Sequence, residues 1–188
     1  MISPDRTQRQ GGALQAMRAM ATVISGALFG TFAALTAAAA LAQAPKLVST
    51  FSDWSSYMHE DARAKICFAV SQPKSQEPKG ANRDPAFFYV SAWPKDGVRT
   101  EISVKIGYPF KKGSEATVTV GNTSFKLFTQ NDRAFVGDAA QEVKLIEAMK
   151  KAQTMQVQGT SERGTATTDN YSLAGLAQAL QAATEQCQ

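Results

Sequence analysis

The chain has 188 residues, 20 Lys and Arg against 16 Asp and Glu, a single His and two Cys. That length is a soft prior of one domain, and about 150 residues can bury a single good core. The full chain carries +4, and the +2 left once the leader is set aside is spread along the sequence, which argues against the clustered basic footprint of a nucleic-acid binder.

The first element is a leader. "ATVISGALFGTFAALTAAAALAQA" carries no charge from Ala21 to Ala44, follows Arg18, and ends in Ala40-Leu41-Ala42, the small-x-small pattern of a signal-peptidase site. Residues 1–42 therefore read as a secretory signal cleaved after Ala42, with residues 43–188 as the mature domain. Met17 or Met20 as the true start would leave a signal of ordinary length. The rival reading is an uncleaved anchor, because the run reaches the ~20 residues a bilayer needs. Its Ala, Gly and Thr content and its cleavage site favour removal. The leader holds Arg6, Arg9, Arg18 and Asp5, so the mature part carries 17 basic and 15 acidic residues, a net +2. The expected location is periplasmic or secreted, with membrane contact only through the leader.

"LVSTFSDWSSY" (47–57) and "AKICFAV" (64–70) read as strands from their aromatic and β-branched content. "SQPKSQEPKGANRDP" (71–85), with three prolines and mixed charge, reads as a long exposed loop. "AFFYVSAW" (86–93) is strand-like and stops at Pro94, before a turn at Asp96-Gly97. In "VRTEISVKIG" (98–107), Val98, Ile102, Val104 and Ile106 share one parity, the period of a half-buried strand. "ATVTVGNTSFKLFT" reads as a hairpin turning at Gly121-Asn122, and "RAFVG" as a short strand. "DAAQEVKLIEAMKKA" reads as a helix with Asp138 as N-cap and Val143, Ile146, Met149 and Lys150 on one face, Leu145 beside it. "TMQVQG" (154–159) alternates as a strand. "SLAGLAQALQAATEQC" reads as a final helix capped by Ser172, with Leu173, Leu176, Ala177 and Leu180 as its apolar stripe. About eight strands and two helices without βαβ alternation predict a mainly β fold: an antiparallel, immunoglobulin-like β-sandwich with two peripheral α-helices.

Both cysteines, Cys67 and Cys187, lie in the mature part, and an even count in an exported chain favours a disulfide. Closing so long a loop would contribute ~4–5 kcal/mol in the chain-entropy model. The alternative is two unpaired thiols. A redox-active pair would want a Cys-x-x-Cys spacing, which is absent.

Catalytic signals are sparse. His59, beside Glu60 and Asp61, has no partner at ligand spacing and reads as a solvated loop residue rather than a metal ligand or general base. A thiolate at Cys67 would be costly in an apolar strand. No Gly-x-Ser-x-Gly, His-Glu-x-x-His or Walker pattern occurs. Lys111-Lys112 and Lys150-Lys151 are too short to form basic stripes alone. "GTSERGTATTDNYSL" (159–173) has the small, hydroxylated look of a phosphate loop, yet its glycines do not open a helix and Arg163 is its one cation. Its second half, "ATTDNYSL", reads as an edge strand or an extended connection into the N-cap of the last helix. The sharper alternative has Ser161, Arg163 and Thr165 gathering around an acidic group.

An ordered set of segments carries a resemblance: Asp53-Trp54, the Cys67 strand, "EISVKIGYP" with Gly107, Tyr108 and Pro109, "LIEAMKKAQTMQVQGTSERGT" with Gly159, Arg163 and Gly164, "DNYSLAGL", and the terminal Cys187. The mature chain resembles the invasion-associated locus B family of Gram-negative alphaproteobacteria. That resemblance implies an exported β-sandwich, associated in pathogens with virulence and entry into erythrocytes. It attaches no enzymatic activity, so it implies no catalytic residues, no cofactor and no metal. It makes these residues a structural signature, in which Gly159 and Gly164 would serve backbone conformations forbidden to side chains. The last helix would bring Cys187 toward Cys67.

Two functions follow. One is a non-enzymatic contact protein whose partner, a protein or a host or envelope surface, is unknown, using loop 71–85 and Tyr108-Pro109-Phe110. The other is a periplasmic small-ligand or metal binder, or a hydrolase, built on His59, Glu60, Asp61 or Arg163.

Overall fold

A computed structural model describes residues 44–188. The expected signal segment lies outside the described residues. The described chain runs β1 (Lys46–Phe51), β2 (Trp54–Glu60), β3 (Lys65–Ser71), β4 (Ser75–Glu77), β5 (Phe87–Trp93), β6 (Val98–Lys105), β7 (Glu115–Val120), β8 (Thr123–Gln130), β9 (Arg133–Val136), α1 (Ala139–Lys151), β10 (Thr154–Thr160), β11 (Ala166–Ser172) and α2 (Leu176–Gln186).

All the strand pairs are antiparallel and form one continuous sheet in the order β1-β2-β3-β5-β6-β9-β8-β7-β10-β11-β4. The sheet folds over on itself. Trp54 on β2 donates its indole N–H to the Ser172 carbonyl at the end of β11, 3.0 Å away, although eight places separate these strands in the sheet order. Phe88 on β5 packs edge-on against Tyr171 of β11, ring centroids 5.9 Å apart. The expected antiparallel sandwich with two helices is thus the observed fold, its layers continuous rather than separate. One core runs between the layers, and Leu145 and Met149 of α1 and Leu176 and Ala179 of α2 join it.

Several boundaries differ from the sequence reading. The single strand expected over 47–57 is a hairpin, because Ser52 adopts φ 51° and turns the chain at Ser52-Asp53. The Pro-rich stretch 71–85 contains β4, which pairs with β11 and makes it an interior strand of the sheet. Asp138 does cap α1, accepting from Gln141 N at 2.9 Å. However, α1 buries Glu142, Leu145 and Met149, while Val143 is 60% exposed. The last helix starts late. Ser172 ends β11, and Gly175, at φ 91°, is the N-cap. A Cβ there would lie 1.8 Å from the Phe51 carbonyl oxygen, so only glycine lets the β1–β2 turn approach the start of α2. Of the expected stripe, Leu176 is buried in α2, Leu173 is buried just before it and Leu180 packs against the core, while Ala177 is exposed and Ala179 and Ala183 are buried instead.

The sheet also has an unexpected cap. Paired residues of β9 and β6 begin at Ser103, one short of Ile102. There the carboxylate of Glu142 accepts the Ile102 N–H at 2.9 Å. Burial holds this carboxyl above its ordinary value, and the bond from Ile102 opposes the shift.

Candidate functional site

Cys67 and Cys187 are joined in a disulfide that pins the C-terminal end of α2 to β3 across 120 residues. The sequence left two free thiols open, and the bridge is what forms.

The other signature residues converge. Tyr108–Phe110 follows β6, and its backbone is stitched to the β10–β11 hairpin. Glu162 N donates to Pro109 O at 2.8 Å and Lys111 N to Thr160 O at 2.9 Å, with a bridge between Phe110 and Ser161. Asp84 N donates to Gly107 O at 2.9 Å, which ties in the end of loop 72–86. Between these three segments lies a cleft of about 440 Å³. Pro78, Asn82 and Arg83 form one side, Tyr108 and Pro109 a second, and Ser161, Arg163, Thr165 and Thr167 a third.

Glycines make the convergence possible, for different reasons. Gly107 has φ 86°, and a Cβ on it would sit 2.0 Å from the Asp84 carbonyl oxygen. Gly164 has φ 85° at the hairpin tip with open space around it, as its expected conformational role requires. Gly159 corrects that expectation: it is a strand residue whose added Cβ would meet Phe110 Cε1 at 2.6 Å and the Tyr108 hydroxyl at 3.0 Å. Its lack of a side chain makes room for the two rings.

At the base, Arg83 and Asp169 form a bidentate pair, with side chains 5% and 0% exposed. Arg83 also donates to the Ile106 carbonyl at 3.3 Å and lies over the Tyr108 ring, 5.8 Å from its centroid. Burial pushes the Asp169 carboxyl up, and the guanidinium opposes that shift. Tyr108 and Thr167 share a buried hydroxyl–hydroxyl bond of 2.6 Å, and burial raises the phenol as well. The cleft is therefore preformed and rigid at its base. Its rim offers a guanidinium at Arg163, a carboxylate at Glu162 and hydroxyls, the groups for holding a polar segment of a partner.

Arg83 and Asp169 were missed in the sequence. One signal pointed to them. In "ATTDNYSL", Thr167, Asp169 and Tyr171 share an inward parity, and a carboxylate on a buried face demands a cation. Nothing local marks Arg83 as that cation.

The remaining residues lie apart. His59 is on β2, not in a loop, with Nε2 3.4 Å from Asp61 Oδ2. Asp61 also accepts from the backbone of Ala64 and Arg63, which lowers its pKa. His59, Glu60 and Asp61 do not line the cleft. Asp53 pairs with Lys74 at 2.7 Å, and the pairing lowers its carboxyl. Among the described residues, no three His, Cys, Asp or Glu side chains cluster as a metal site, and no helix is long and apolar enough to cross a membrane.

The model of the invasion associated locus B (IalB) protein family matches residues 54–184. The chain belongs to the IalB family. The crystal structure of invasion associated protein B from Bartonella henselae is similar, with a TM-score of 0.51 at 16% identity, covering 73% of this chain and 95% of that one. At that identity the likeness establishes a shared fold. No curated protein matches the chain. The matched region runs from β2 through β11, takes in all three sides of the cleft and nearly all of α2, and leaves out β1.

Proposed function

We propose that this IalB-family protein is exported and acts without catalysis, by contact with a protein or cell-surface partner in host interaction or envelope stress. The observation that carries the reading is the cleft. Three segments distant in sequence, 78–83, Tyr108–Pro109 and 161–167, are fastened into one preformed recess over a buried ion pair. Recognition sites are typically loops held on a rigid scaffold. The disulfide and the leader pattern support an oxidising compartment. The recess holds hydroxyls, the Arg163 guanidinium and the Glu162 carboxylate, and Ser161 Oγ accepts from Thr165 N rather than bonding that carboxylate, which supports binding over turnover.

The test is complementation of a deletion strain. Wild-type protein should restore host-cell adherence or survival under envelope stress. A cleft-filling Thr165→Trp, Arg163→Glu variant, exported at wild-type level and with unchanged melting, should fail to do so. Full restoration by the variant would sink the proposal.

A further inference from the structure

The outward face of the sheet carries an aromatic strip that the fold does not use. Cross-strand register places Leu47, Tyr57 and Phe68 side by side on β1, β2 and β3. Tyr89 of β5 meets Phe68 edge-on at 5.9 Å. Beyond Ser103 of β6, Phe135 of β9 stacks on Phe128 of β8 at 5.5 Å. All point away from the core, since the alternate residues Cys67, Ala69, Phe88, Val90, Ala134 and Leu127 are the buried ones. Seven adjacent strands span about 29 Å at the usual spacing of ~4.8 Å. Both helices pack on the core and leave this side open. Leu47 and Phe128, at opposite ends, are 49% and 51% exposed. Two apolar clusters, Leu47 to Tyr89 and Phe128 with Phe135, flank Ser103 on this one open face and mark it as an interaction surface.

The charges within the strip select the partner. Lys105 and Arg133 are direct cross-strand partners on this face, next to Phe87, Tyr89 and Phe135. Like charges in that position destabilise a sheet. Among the described residues neither has a carboxylate within 4.0 Å. Of the carboxylates on this face, Glu115 is taken by Lys126, and Glu101 sits four residues from Lys105 along β6, opposite Ser91. A second copy of this chain docked face to face would bring the cation pair against its own counterpart. Sugar or nucleobase stacking needs free ring faces. Here Tyr57 and Phe68 each cover one face of the other, 12° apart in plane, Phe128 and Phe135 do the same at 26°, and Arg133 takes one face of Tyr89 at 5.7 Å, so fewer faces are open to such ligands. The ring edges that remain suit apolar side chains.

We infer that this face docks a protein segment that combines apolar side chains with Asp or Glu, the acidic groups meeting Lys105 and Arg133. The strip shares no residue with the cleft, so the two surfaces pass or fail separately.

The experiment is a selection of random twelve-residue peptides displayed on phage against the purified domain, followed by titration of synthesised winners. The enriched sequences should combine Asp or Glu with Leu, Ile, Phe or Trp. Binding should fall at least tenfold with Lys105→Glu/Arg133→Glu and with Phe128→Ser. Leu47→Ser, at a site already half exposed, serves as a second apolar variant that does not threaten the fold. Enriched peptides without acidic residues, an empty selection, or winners indifferent to these variants would overturn the inference. So would concentration-dependent dimerisation abolished by Phe128→Ser, or tighter binding of polygalacturonate than of any peptide.

Discussion

Arg83 and Asp169 lie 86 residues apart in sequence and meet in a bidentate ion pair beneath the cleft, with Arg83 also holding the Ile106 carbonyl. The pair fastens loop 72–86 to β11 and to the end of β6. Two buried charges are costly to desolvate, and removing one partner strands the other. Arg83→Ala or Asp169→Ala should each cost about 3–5 kcal/mol in urea unfolding. The double variant Arg83→Met/Asp169→Leu should recover much of that loss. Additive losses in the double variant would show that the two residues act independently.

The glycines around the site should rank by what surrounds them. Gly164→Ala meets only the left-handed backbone penalty, about 1–2 kcal/mol. Gly159→Ala forces Phe110 and Tyr108 aside, an overpacking of about 1–3 kcal/mol that also reshapes the cleft. Gly107→Ala and Gly175→Ala should exceed both, because each drives a Cβ into a backbone carbonyl that flexible side chains cannot relieve. Thermal melts of the four variants test the order, and a Gly164→Ala loss equal to that of Gly107→Ala would refute it.

Glu142 predicts a pH dependence. Burial raises its folded-state pKa above 4.5, so the folded state keeps a proton that the unfolded state has lost. Its stabilising share is complete below pH 4.5 and fades as pH rises through the folded value. Glu142→Gln keeps an acceptor for Ile102 N–H and cannot ionise. Relative to wild type, this variant should gain stability as pH rises from 4.5 through the folded-state value, the reverse of the trend for a salt-bridged carboxylate. A gap in melting temperature constant with pH would contradict the assignment.

The disulfide prediction is joined to the export reading. Protein purified from periplasm should have an intact mass beginning at Gln43, with both sulfurs resistant to alkylation until reduced. Cys67→Ser/Cys187→Ser should lose up to about 5 kcal/mol, the value for a closed loop of this length. Hydrogen exchange should rise first in α2. An uncleaved chain with two free thiols would reverse both the location and the bridge.

Much of the fold was legible because it rests on local periodicity. The inward parity of Ile102, Val104 and Ile106, the Gly121-Asn122 turn and the alternation of Met155 and Val157 each reflect a two-residue repeat that one window of sequence contains. What escaped depends on distant partners. β4 is three residues flanked by prolines and exists only because β11 offers an edge. Val143 and Leu145 look alike in sequence, and the surface that α1 meets decides which is buried. Ser172 is a good N-cap residue overruled by pairing along the whole of β11, which moves the cap to Gly175. The cleft was half legible. Tyr108, Pro109, Ser161, Arg163 and Thr165 stood out, whereas Arg83 sits in a stretch whose composition signals solvent exposure.

Site-specific photo-crosslinking in living cells tests contact through the cleft most directly. A benzophenone amino acid at Pro109, exposed on the cleft rim, is compared with one at Asn122, exposed on the β7–β8 turn. Discrete adducts should form from position 109 and not from position 122, and Arg163→Glu should abolish them. No adduct at position 109, or the same adducts from both positions, would contradict a contact role for the cleft.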